Sequence, residues 1–119
     1  MKIVLIIDDE ESIVNMYKTT LSDYNVISAT NGDEGLKLAI KEKPDLIYLD
    51  IIMPKFNGLD VLRNLKQNKD TKDIPVILLT NLPEEASAEK ARSLGAYNYF
   101  VKADYEPDKV AEETKKILG

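Results

Sequence analysis

The sequence predicts an α/β fold, a doubly wound three-layer sandwich with a parallel five-stranded sheet between helices. Short apolar runs alternate with amphipathic helical periods along the chain. Several of those runs are apolar at every position, which suits strands covered on both faces. No low-complexity stretch or Pro/Gly/Ser linker divides the 119 residues, and that length fits one domain, residues 1–119.

Each element has its own signal. Ile3–Ile7 reads as the first strand and stops at Asp8-Asp9-Glu10-Glu11. Ile13, Met16, Tyr17 and Leu21 then share one helical face. Val26–Ala29 reads as the second strand, and Leu36, Ala39 and Ile40 mark the second helix. Leu46–Leu49 is the third strand, followed by a helix with Leu62 and Leu65 on its inner face. Val76–Leu79 is the fourth strand. The helix after it, Pro83 to Leu94, is weaker, with Ala86, Ala88 and Ala91 as its main apolar residues. Pro83 suits a first helical turn and Gly95 a helix stop. A helix that buries mainly alanine is loosely anchored and can shift. Tyr99–Val101 is the fifth strand, and Val110, Thr114, Ile117 and Leu118 line the last helix. Crossovers between the strands are expected to be right-handed. Periodicity alone leaves the strand order open.

Composition removes several function classes. Hydrophobic residues make up 44% of the chain, enough for a core. There is no cysteine, hence no disulfide framework and no thiol nucleophile. There is no histidine, which removes the Ser-His-Asp triad and the usual general base. Sixteen basic against 21 acidic residues give a net charge of −5, which argues against a dedicated nucleic-acid module. The first apolar run is too short for a signal peptide or a membrane span. A soluble, cytoplasmic protein without membrane insertion is expected.

The polar residues that carry chemistry fall at strand ends. Asp8 and Asp9 follow the first strand, Asp50 the third, Thr80 the fourth and Lys102 the fifth. Ligands of open α/β sheets bind beyond the carboxyl ends of the strands. If the first and third strands are neighbours, three carboxylates converge, and a cation must offset their repulsion. A hard divalent ion with oxygen ligands, Mg²⁺ above all, suits that donor set.

The chain resembles the receiver domains of two-component response regulators over essentially its full length. The residues that carry the resemblance are the Asp8-Asp9 pair, Asp50 with Met53-Pro54 and Asn57-Gly58 behind it, Thr80, and Lys102 preceded by Tyr99. Each is weak alone; the set, in this order, is specific. The resemblance implies the flavodoxin-like strand order 2-1-3-4-5. It implies that Asp50 accepts a phosphoryl group from a phosphohistidine on a sensor histidine kinase or phosphotransfer protein. Asp9, Asp50 and the backbone carbonyl of Ile52 would bind Mg²⁺ (or Mn²⁺) directly, with Asp8 acting mainly through water. Lys102 would pair with the phosphoryl oxygens, Thr80 would donate its hydroxyl to one of them, and Tyr99 would turn inward as the phosphorylated state forms. The fourth helix, fifth strand and fifth helix would dock a downstream protein effector. A phosphoacceptor of this kind is no enzyme in the ordinary sense, although it supports its own phosphoryl transfer and dephosphorylation.

Elementary chemistry agrees with those residue types. Phosphoryl transfer depends on positioning and charge stabilisation. An aspartate is already ionised at neutral pH and needs no base to attack. A lysine and a cation offset the charge that gathers on it.

Some positions also have plainer readings. Glu10 and Glu11 read as acids at a helix start. Gly58 reads as a turn glycine needing permissive backbone angles; Asn57-Gly58 would suit a hairpin turn in an antiparallel protein, but the surrounding helical pattern argues against that. Tyr97 shares a strand face with Tyr99. Ala103 stands where the family usually carries a cis proline. A cis non-proline bond costs roughly 2.5–4 kcal/mol, so a trans bond with a rearranged Ala103–Glu106 loop, or a strained cis one, is expected. Asn81 replaces a smaller residue and would restrict access to Asp50. Ile52 and Leu82 are apolar and cannot position an attacking water, so slow self-dephosphorylation is expected.

Three rival functions compete. A pseudo-receiver would use the same fold for protein interaction without phosphorylation. A Mg²⁺-dependent phosphohydrolase would place its nucleophile after the first strand and carry a cap over it. A flavin carrier would need a Ser/Thr/Gly-rich loop after the first strand, where this chain has four acids. Neither GxGxxG nor GxxxxGK[ST] occurs.

Overall fold

A computed structural model describes residues 1–104 and 106–119. Five parallel strands form the main sheet: β1 (Ile3–Ile7), β2 (Asn25–Ala29), β3 (Leu46–Leu49), β4 (Val76–Thr80) and β5 (Asn98–Val101). Their order is β2-β1-β3-β4-β5. The register aligns Ile7 with Ala29 on one side and Leu49 on the other, and Leu49 with Leu78. The carboxyl ends of the central strands therefore finish side by side.

Every residue of β3 and β4 is buried. This is why those segments are apolar throughout: alternate side chains enter two separate cores. Leu5, Ile7, Ile47, Leu49 and Leu78 face one core, which α2 (Gly32–Glu42), α3 (Gly58–Gln67) and α4 (Glu84–Ser93) close with Ala39, Leu62, Leu65, Ala88 and Ala91. Val4, Ile6, Tyr48, Ile77 and Leu79 face the other, closed by α1 (Glu11–Thr20) and α5 (Pro107–Leu118) with Val14, Tyr17 and Val110. The edge strand β2 is only half-covered at Val26, Ile27 and Ser28.

Thr114 sits on the inner face of α5 for a polar reason. Its hydroxyl lies 2.7 Å from the Tyr48 hydroxyl and donates to the Val110 carbonyl at 2.8 Å. That buried contact fixes α5 over β3, since an unpaired hydroxyl there would be costly.

Local chemistry sets the helix ends. Asn31 caps α2 by accepting from the Glu34 N–H, and Asn57 caps α3 by accepting from the Leu59 N–H. Pro83 is the cap residue just before α4 rather than part of its first turn. Gly95 has φ +101°, the left-handed conformation expected of a helix stop. A two-residue hairpin, Ile52–Met53 paired with Phe56–Asn57, lies between β3 and α3. Its turn is Pro54-Lys55, with Lys55 at φ 66°, and not Asn57-Gly58.

Candidate functional site

Two aspartates extend the sheet by one residue each. The Asp8 N–H donates to the Ala29 carbonyl at 3.1 Å, and the Asp50 N–H to the Ile7 carbonyl at 3.0 Å. Those ladder bonds hold both side chains at the carboxyl edge. Asp8, Asp9 and Asp50 each offer a carboxylate oxygen within 4.8 Å of the others. Asp8 and Asp50 are 2% and 3% exposed, while Asp9 faces solvent.

Lys102 joins them from the end of β5. The Lys102–Ala103 bond is trans, and residues 102–104 form a short 3₁₀ turn. Tyr105, within the loop expected to rearrange, lies outside the described residues. The Lys102 ammonium lies 2.8 Å from Asp8 Oδ2, 2.9 Å from Asp50 Oδ2 and 2.9 Å from Glu10 Oε1. An ammonium has three protons, and each has a carboxylate to meet. Burial acts against the charged amine, but bonds to Asp8, Glu10 and Asp50 outweigh it and hold the pKa above the ordinary lysine value. The Asp8 carboxyl is pushed up by its burial, with the nearby Asp50 adding like charge; Lys102 and the Glu10 N–H only partly offset this. The other oxygens are also used: Asp8 Oδ1 accepts from the Glu10 N–H at 2.9 Å, and Asp50 Oδ1 from the Ile52 N–H at 3.1 Å.

Glu10 is a correction to the sequence reading. It is the cap residue of α1, yet its side chain makes no capping bond. Its carboxylate reaches Lys102 instead. Gly58 is a second correction. It is the first residue of α3, and its φ is not in the left-handed region. A Cβ there would fall 2.5 Å from Ile51 Cα and closer still to the Asp50 carbonyl oxygen. Gly58 serves close approach of α3 to the Asp50 backbone, not an unusual backbone angle.

The remaining candidates take distinct places. Thr80 ends β4, fully buried, and its hydroxyl accepts from the Leu82 N–H at 3.4 Å. Tyr99 is 4% exposed and already turned inward, whereas Tyr97, which precedes β5, is 59% exposed. The two tyrosines do not share an environment. Ile52 is exposed beside Asp50, Leu82 is half-buried and Asn81 is exposed.

Three carboxylates, those of Asp8, Glu10 and Asp50, meet one ammonium, and Asp9 adds a fourth beside Asp8 and Asp50. The donor set is oxygen only and carries excess negative charge in a partly buried site. It fits a hard divalent cation.

Comparison with known proteins decides the family. The response regulator receiver domain model matches residues 4–114. The chain belongs to that family. The receiver is 42% identical over 119 residues to the alkaline phosphatase synthesis transcriptional regulatory protein PhoP of Bacillus subtilis, covering 98% of this chain and 48% of that protein. It thus spans about half the length of that relative. Among solved structures, chemotaxis protein CheY4 of Vibrio cholerae matches with a TM-score of 0.90 at 29% identity, over 99% of each chain. The response regulator TrrA of Thermotoga maritima, in complex with Mg²⁺-BeF, matches with a TM-score of 0.85 at 35% identity, over 99% of this chain and 100% of that one.

A receiver is a phosphoacceptor signalling module of two-component systems, not a classical enzyme, and the acidic pocket of Asp8, Asp9 and Asp50 matches that role. The pocket is of the kind that holds a divalent metal ion. Among the described residues, no helix is long and apolar enough to cross a membrane.

Proposed function

We propose that Asp50 is the phosphoacceptor of this receiver, and that residues 1–119 act as one receiver domain in the cytoplasm. The observation that carries the reading is the buried Asp50 carboxylate held between the Ile52 N–H and the Lys102 ammonium, with Asp8 alongside. A carboxylate oriented by two donors is aimed before the donor arrives.

An Asp50 oxygen forms the new bond to phosphorus as the bond to the phosphohistidine nitrogen of a sensor kinase or phosphotransfer protein breaks. Lys102 then gives an N–H to a phosphoryl oxygen, and Thr80 turns its hydroxyl toward another. Asp8, Asp9, Asp50 and the Ile52 carbonyl would hold Mg²⁺, with Mn²⁺ as a substitute. When bound, that ion supplies positive charge against the phosphoryl oxygens. The same groups support hydrolysis of the acyl phosphate. The surface of α4, β5 and α5 passes the signal to a protein effector.

The test is intact mass after incubation with Mg²⁺ and a small phosphodonor. Wild type gains one phosphoryl group, and Asp50→Ala gains none. An unmodified wild type would overturn the reading and leave the pseudo-receiver in its place.

A further inference from the structure

Little apolar surface holds α4. Among its described side chains only Ser87, Ala88 and Ala91 are buried, and alanine contributes little area. A polar contact supplements that weak attachment. The Ser87 hydroxyl lies 2.6 Å from the Tyr99 hydroxyl, in a buried position. The Tyr99 hydroxyl also donates to the Leu82 carbonyl at 2.9 Å. A carbonyl only accepts, so the single tyrosine proton goes to Leu82 and Ser87 gives its own proton to Tyr99. The Leu82 N–H points the other way, to the Thr80 hydroxyl at 3.4 Å. Hydrogen bonds thus join Ser87 in the middle of α4 to Tyr99 on β5 and to the Leu82 carbonyl, and the Leu82 backbone leads from there to its longer contact with Thr80 at the end of β4.

We infer that Ser87 is a positioning residue, a latch that holds Tyr99 inward and ties the placement of α4 to the Thr80–Leu82 segment. The inference rests on the reading of Asp50 as phosphoacceptor for its second half only. The latch favours the inward tyrosine. Drawing Thr80 toward the pocket acts on the same segment, so occupancy at Asp50 and the placement of α4 are coupled. Coupling of this kind is reciprocal: whatever seats on α4 alters how firmly the pocket holds its ligand.

Two measurements test it. The first is ¹⁹F NMR of protein carrying fluorotyrosine, with the Tyr99 resonance assigned by its loss in Tyr99→Phe. In wild type without ligand the resonance is single and typical of a buried ring. In Ser87→Ala it shifts or broadens, because losing one hydroxyl bond moves the inward-to-outward ratio by about fivefold (about 1 kcal/mol). Alanine favours a helix, so the variant is expected to fold. The second is binding of beryllofluoride with Mg²⁺. Ser87→Ala weakens it by up to about fivefold, and has no effect in a Tyr99→Phe background, where the partner hydroxyl is gone. An unchanged Tyr99 resonance in Ser87→Ala, or an equal binding loss in both backgrounds, would overturn the latch. A wild type that binds no beryllofluoride would count against the Asp50 reading, and the NMR measurement would still decide the latch.

Discussion

Replacing Gly58 with alanine probes how closely α3 must approach the segment that carries Asp50. The added Cβ would lie 2.5 Å from Ile51 Cα and 2.9 Å from the Asp50 carbonyl carbon. Both are backbone atoms, with no flexible side chain to give way. Carbon–carbon contact becomes favourable at about 3.5 Å, so the backbone must move by about 1 Å. At an exposed site inside a helix the same change would stabilise by about 1 kcal/mol. Here overpacking costs about 1–3 kcal/mol, and the first helical position recovers only part of the propensity gain. The net expectation is a loss of about 1–2 kcal/mol. The displaced backbone belongs to Asp50 itself, and a 1 Å misplacement can cost about 100-fold in rate. Urea denaturation reads the first effect, and intact-mass kinetics with a small phosphodonor the second. Gly95→Ala serves as control. Strain at φ +101° should lower its stability too, with phosphorylation at the wild-type rate. A Gly58→Ala protein that is as stable as wild type and phosphorylated as fast would refute the close-approach argument.

Other perturbations address the charges. Glu10→Ala removes a half-exposed acceptor of Lys102, so stability should fall by at most about 1 kcal/mol. The phosphorylation rate should fall by about fivefold, the worth of one hydrogen bond; an unchanged rate would remove Glu10 from the site. Lys102→Met leaves Asp8 and Asp50 buried without their ammonium and should cost about 3–5 kcal/mol at neutral pH, in part restored by Mg²⁺ or by acid as Asp8 takes up a proton. In wild type the folded-state pKa of Lys102 lies above its unfolded value. Its stabilising contribution is therefore complete below about pH 10.5 and is lost as pH rises further. Denaturation followed upward from about pH 10.5 should show a drop that Lys102→Met lacks; parallel curves would contradict the ion-pair account. Ile52→Asn places an amide beside Asp50 that can orient water, and should shorten the phosphoryl half-life by about tenfold. A half-life equal to wild type would remove the stated cause of slow dephosphorylation.

The sheet was legible in the sequence because β1, β3 and β4 are covered on both faces and carry no polar residue until they end. The strand order was not: five βα units can be wound in several orders, and 2-1-3-4-5 came from resemblance. Asp8, Asp50 and Lys102 could be picked out because a strand end aims its next residue at the ligand edge. Glu10 was hidden because an acid before a helix has a sufficient local explanation. Only the distance to Lys102, 92 residues away in sequence, separates the two roles. Gly58 was misread for a similar reason. A glycine needed for space and one needed for φ are the same letter, and only the neighbouring backbone tells them apart. Tyr97 and Tyr99 alternate as strand residues should, but β5 begins at Asn98; the Tyr97 N–H still reaches the Val76 carbonyl of β4, while its side chain stays exposed. Ser87 carried no signal at all, since serine on an alanine-rich helix is ordinary until a tyrosine hydroxyl meets it.

The ammonium among the carboxylates has a consequence for how the fold depends on its surroundings. Small domains whose ligands are gathered by a metal alone unfold when it is chelated. Here Lys102 brings a counterion that the chain itself encodes, reaching from the end of β5 across the end of β4 to the aspartates that follow β1 and β3. Folding is thereby uncoupled from the supply of divalent cation. A chelator should silence the chemistry and leave the architecture standing, so the cell can vary one without risking the other.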